Sequence, residues 1–90
     1  MGDRDDSRTT AARDDATESA VLQQVLDLYP AQLTLAELVL ELAGGSPSFA
    51  ERDALERAVR DLRGAGLLHR HGDFVLPTRA ALRFDQLLNL

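Results

Sequence analysis

All ten basic side chains of this 90-residue chain are arginines, and seven of them fall between residues 51 and 83. Arg52, Arg57 and Arg60 lie in one apolar-periodic stretch, and a short segment follows in which His69 and His71 alternate with Arg70. A guanidinium is a permanent cation whose fork of donors matches a phosphate. Arginines at helical spacing followed by a basic strand suit the neutralisation of a nucleic-acid backbone. Ser48 stands just ahead of them. A helix beginning there would offer free N–H groups to a phosphate. The absence of lysine itself reads as the mark of a GC-rich coding sequence, because phosphate recognition does not require removing every surface lysine.

The same arginines have a plainer reading. Asp53-Arg57 and Glu56-Arg60 are i,i+4 pairs with the acid on the N-terminal side, each contributing about 0.2–0.5 kcal/mol on an exposed helix. Pairs that weak yield to a phosphate. A solvated, self-paired face and a phosphate-binding face therefore both stay open.

Other chemistry finds little footing. There is no cysteine, so neither a disulfide framework nor a thiolate metal site is available. His69 and His71 share one side of a strand, but no third ligand has a recognisable spacing. No nucleophile–base–acid pattern and no glycine-rich phosphate loop occurs. The expectation is a non-enzyme with no metal and no cofactor. No apolar run approaches the ~20 residues that span a bilayer, and the polar start MGDRDDSRTTAARDD lacks the apolar core of a secretory signal. A cytoplasmic location without membrane partners is expected.

The net charge is −5, which argues against an indiscriminate nucleic-acid coat. Its distribution is polarised. Residues 18–50 carry four acids and no base, whereas residues 51–83 carry seven arginines against five acids. Any anion-binding face therefore belongs to the second half.

Elements that could position these groups follow from the apolar periods. Residues 1–16 are polar without a period and read as a disordered tail, leaving 17–90 as one domain. Val21, Leu22, Val25, Leu26 and Leu28 form a helical stripe from about Glu18, capped by Asp15 or Thr17 and stopped by Pro30. Thr34-Leu-Ala-Glu37 is a capping box opening a second helix with Leu35, Leu38, Val39 and Leu42 inward. Ser48-Phe-Ala-Glu51 opens a third, from about Phe49 to Gly64, with Leu55, Ala58, Val59 and Leu62 inward. Its side opposite the core holds Asp53, Arg57, Arg60 and Gly64 at ~100° per residue. Gly44-Gly45 and Gly64-x-Gly66 are helix terminators. Residues 67–71 and 74–77 pair across Gly72-Asp73, which suits a two-residue II′ turn. Thr78 caps a last helix, and a short extended segment fits near Leu33.

This pattern resembles the winged helix-turn-helix superfamily, including small bacterial transcriptional regulators. The resemblance rests on Leu33-Thr34-x-x-Glu37-Leu38, on Leu55-x-x-x-Val59-x-x-Leu62, and on Gly66-Leu67-Leu68 followed by Arg70, Gly72-Asp73 and Phe74. Pro77-Thr78-x-x-Ala81 adds to it, and the match covers residues 18–90. It implies a mainly α fold with a small β-hairpin: a three-helix core, a two-stranded wing and a C-terminal helix. It also implies a DNA-binding regulator of transcription, acting without a ligand pocket. Helix three would enter the major groove through Arg52, Arg57 and Arg60, with Ser48 at its start on a phosphate. His69, Arg70 and His71 of the wing would contact double-stranded DNA. Leu82, Phe84, Leu87, Leu88 and Leu90 are many apolar groups for a terminal segment, and the resemblance gives them a role in homodimerisation. The alternative is a protein-interaction or dimerisation module of the same fold that binds no DNA.

Overall fold

The computed structural model describes the backbone of residues 2–90 and the side chains from Thr10 onward. Among the described residues there are four helices and a small three-stranded antiparallel sheet. In chain order they are α1 (Gly2–Leu28), β1 (Leu33–Thr34), α2 (Leu35–Ala43), α3 (Phe49–Gly64), β2 (Leu68–His71), β3 (Phe74–Pro77) and α4 (Arg79–Leu88).

The helix starts fall where local chemistry puts them. The Thr34 hydroxyl accepts from the Glu37 N–H at 3.1 Å, and Glu37 Oε1 accepts from the Thr34 N–H at 3.2 Å. Ser48 and Glu51 form the same reciprocal pair at 3.1 and 3.3 Å. Each box satisfies two donors that have no partner within the helix. Thr78 caps α4 and also ties it down. Its hydroxyl accepts from the Ala81 N–H at 3.2 Å and donates to the Gly66 carbonyl at 2.8 Å.

β3 is the central strand, with β1 on one side and β2 on the other. Leu33 pairs with Val75, and Arg70 pairs with Val75 from the opposite edge. The hairpin turns at Gly72, whose φ of +62 needs no Cβ penalty, while Asp73 keeps a negative φ. That combination is the II′ form expected of Gly-Asp. The Leu35 N–H donates to the Asp73 carbonyl at 3.2 Å, so the hairpin tip is fastened to the start of α2.

One apolar core joins α1, α2, α3 and the sheet. Val21 and Val25 of α1 meet Leu38 and Val39 of α2, Leu55, Ala58, Val59 and Leu62 of α3, and Leu33, Leu68 and Val75 of the sheet. Leu38, Leu68, Val21 and Val75 are fully enclosed. The inward positions expected for α2 and α3 are thus found inward, with Leu35 and Leu42 at the core's edge.

The first helix differs from its expected form. It starts at Gly2, not near Glu18, so neither Asp15 nor Thr17 is its cap. Residues 10–16 are helical backbone, continuous with the rest of α1. The side chains of residues 1–9, on which the tail assignment also fell, lie outside the described residues. No proline and no glycine interrupts residues 3–28. Once residues 14–28 are held against α3, each further residue adds a bond without a new nucleation cost. Leu28, expected inward, is partly exposed at the end of the helix.

Candidate functional site

The arginines of α3 divide between two sides of the helix. Arg57 faces α1. Its Nε lies 3.3 Å from Asp53 Oδ2 and its Nη1 lies 4.0 Å from Asp14 Oδ1. Its side chain is 42% exposed, and the Nε atom is enclosed without a hydrogen bond of proper geometry. Arg57 therefore belongs to the seam between α1 and α3.

That seam is rich in acids. Asp14, Glu18 and Asp61 line it with Arg57. The Glu18 carboxyl titrates above its ordinary value, first through desolvation and then through the negative charges of Asp61, Asp15 and Asp14. A carboxyl whose folded-state pKa is raised disfavours the fold when ionised. The penalty is present at neutral pH and vanishes below the unfolded-state value. Glu18→Gln is expected to raise the melting temperature at pH 7 by at most a few degrees. That gain should disappear below about pH 4, where both forms are neutral. Thermal unfolding followed at the two pH values checks this.

The free face of α3 is the opposite flank. Arg52, Glu56, Arg60 and Arg63 are all exposed and follow one another along the helix at three- to four-residue steps. Arg60 Nε approaches Asp61 Oδ1 at 3.9 Å, with both side chains well exposed. The Glu56–Arg60 ion pair expected from their spacing is not formed among the described residues, whereas the Asp53–Arg57 pair is.

Arg70 of β2 comes round to the same flank. A groove of about 590 Å³ separates α2, α3 and the hairpin. Its apolar lining includes Leu35, Val39, Leu40 and Pro47, and its charged lining is Arg52 and Glu56 from α3 with Arg70 and Asp73 from the hairpin. Among the described residues, none of these four charged groups has an ion-pair partner within 4.0 Å. A concavity of this kind was not anticipated from the sequence. Leu40, 52% exposed on an almost wholly apolar α2, forms part of its wall.

The remaining candidates fall as follows. Ser48 is engaged as the α3 cap, and the Glu51 carboxylate sits beside it at the helix start. An anion there would have to displace Glu51. His69 and His71 are exposed on the hairpin, paired with Leu76 and Phe74. Among the described residues, no group of three or more His, Asp or Glu side chains could hold a metal ion. In α4, Ala81 is buried and Leu82 partly so, while Phe84 is 62% and Leu88 69% exposed. Leu87 and Leu90 are exposed too, so all five proposed dimerisation residues but Leu82 lie at the surface.

Two exposed groups of α3 escaped the sequence reading. Arg63 sits eleven positions after Arg52 and three after Arg60, a helical spacing that was legible. Phe49, 86% exposed at the start of α3, carried no signal, because an aromatic after a cap usually packs inward. Among the described residues, no helix is long and apolar enough to cross a membrane. No protein-family model, no curated protein and no solved structure significantly matches this chain.

Proposed function

We propose that this chain is a small DNA-binding protein of the winged-helix type, acting as a transcriptional regulator. Helix α3 and the β2–β3 hairpin would lie against the duplex. The observation that carries the reading is that Arg52 of α3 and Arg70 of β2 line one groove, with Arg60 and Arg63 exposed at helical spacing further along α3. Support also comes from the element order, in which three helices precede a hairpin and a short strand before α2 joins the hairpin's second strand. Arg57 leaves the proposed contact set, since it faces α1. Arg63 enters it. His69 and His71 remain candidate contacts to the sugar-phosphate backbone. Glu56 and Asp73 beside the arginines restrict contact to a limited number of phosphates. Binding should therefore be modest and strongly salt-dependent. Titration of a labelled duplex with full-length protein at low salt tests the reading, and its absence there would remove it.

A second reading is favoured by the exposed apolar side of α4. A face carrying Phe84, Leu87 and Leu88, with Leu90 exposed just beyond the helix, is a candidate homodimer surface. Sedimentation at high protein concentration is expected to give twice the monomer mass. Phe84→Glu with Leu88→Glu should return it to the monomer mass. A monomer mass for the unaltered chain at high concentration would refute dimerisation.

A further inference from the structure

Two side chains on the exposed flank of α3 are unsuited to phosphates. Phe49 is 86% exposed, although a phenyl ring in water forgoes the free energy of burial. Glu56 is exposed in the middle of the arginine row, where its carboxylate would be repelled by a phosphate. Pairing does not account for its position. Among the described residues Glu56 makes no ion pair within 4.0 Å, although Arg52 and Arg60 lie four positions to either side. Asp53, by contrast, is turned to Arg57 at 3.3 Å. At ~100° per residue, Phe49, Arg52, Glu56, Arg60 and Arg63 fall within a sector of about 80°. The ring and the carboxylate therefore share one stripe with the three arginines.

Contacts to phosphates orient a protein on a duplex but carry no sequence information. Base edges in the major groove offer what Phe49 and Glu56 lack on the protein. The cytosine N4 amino group donates to a carboxylate, and the thymine C5 methyl takes an apolar contact. We infer that α3 reads sequence through these two residues, with the Phe49 ring against a thymine methyl and the Glu56 carboxylate accepting from a cytosine amino group. The inference rests on the DNA-binding reading and adds a preferred class of duplex to it. The seven positions from Phe49 to Glu56 span ~10 Å of helix, and base pairs step by ~3.4 Å. For a helix lying along the groove, the thymine and the cytosine stand about three base pairs apart.

The test starts by selecting duplexes from a random pool with the full-length protein, then measures affinity by fluorescence anisotropy at one low salt concentration. Replacing the selected thymine by deoxyuridine removes only the methyl group. The unaltered chain is expected to bind the uracil duplex about threefold more weakly, at ~0.8 kcal/mol for one apolar carbon. Phe49→Ala should bind both duplexes equally. Replacing the selected cytosine should cost the unaltered chain at least about fivefold. Glu56→Gln should exchange that preference for adenine, whose N6 and N7 match an amide, and leave the other positions unchanged. Both substitutions fall at exposed side chains, so the fold is retained. Equal affinity of the unaltered chain for the thymine and uracil duplexes would overturn the role of Phe49. A Glu56→Gln variant that strengthens binding to every sequence alike would show a mere loss of charge and overturn the role of Glu56. Salt-dependent binding without any selected sequence would remove the inference and leave the DNA-binding reading standing. No duplex binding at low salt would remove both.

Discussion

Leu38→Ala is expected to destabilise the fold by about 3 kcal/mol, within the ~2–5 kcal/mol range for deleting an enclosed leucine side chain. Leu38 is 0% exposed and lies in the cluster where α1, α2, α3 and the sheet converge. A domain of this size has only about 5–15 kcal/mol of total stability. The melting temperature should therefore fall by more than about 10 °C. Leu90→Ala is the internal control. That side chain is 100% exposed, and at a concentration where the chain is monomeric its loss should leave melting unchanged. The two melts, recorded by circular dichroism, separate a core residue from an apolar surface residue of the same type. A shift of only one or two degrees for Leu38→Ala would show that α2 is not part of the cooperative core.

The second large effect concerns binding. Arg52→Ala, Arg60→Ala and Arg70→Ala together are expected to weaken duplex binding by at least about 100-fold at low salt and to flatten its salt dependence by about 1 in slope for each phosphate contact removed. Arg57→Ala should change affinity by less than about threefold. Its guanidinium lies among Asp53 and Asp14 at the α1 seam, and pairs this exposed have median energies of about 0–1 kcal/mol. The contrast between the two variants reports which flank of α3 meets the ligand. If Arg57→Ala weakened binding as much as the triple variant, the contact face would be the one opposite the core. The flank that includes the hairpin would then be the wrong assignment.

That contrast also shows where the sequence sufficed and where it did not. The capping boxes at Thr34 and Ser48, the Gly72-Asp73 turn and the Leu55–Val59–Leu62 stripe are local signals, and local hydrogen bonding fixed them. The start of α1 is not legible in the sequence, because residues 2–17 carry no apolar stripe. A helix can instead be extended by propensity from a packed segment, without an apolar stripe of its own. The orientation of α3 was only half legible. Helical periodicity identifies the side opposite the core, which holds Arg57. It does not say which flank a neighbouring helix covers. α1 covers one flank with Asp14 and Glu18, so the α3 arginines left on the other, exposed flank are Arg52, Arg60 and Arg63. The groove was invisible for a related reason: it is made by three elements that are distant in sequence, and its apolar lining reads as core in any pattern of period 3.6.

Polarisation of charge complements this geometry. The four acids of residues 18–50 have no arginine among them in sequence, and an approaching polyanion would be steered away from them. The net charge of −5 therefore does not contradict anion binding on the α3–hairpin flank. It limits the number of phosphates that can be engaged at once.

The most direct measurement is the affinity of full-length protein for a mixed-sequence duplex of about 25 base pairs across a series of salt concentrations. With three or four arginines on phosphates, log K is expected to fall linearly with log salt at a slope near −3, by about −0.9 per phosphate. An absence of binding at the lowest salt, or an affinity indifferent to salt, would contradict the assignment of the α3–hairpin flank as a DNA-binding surface.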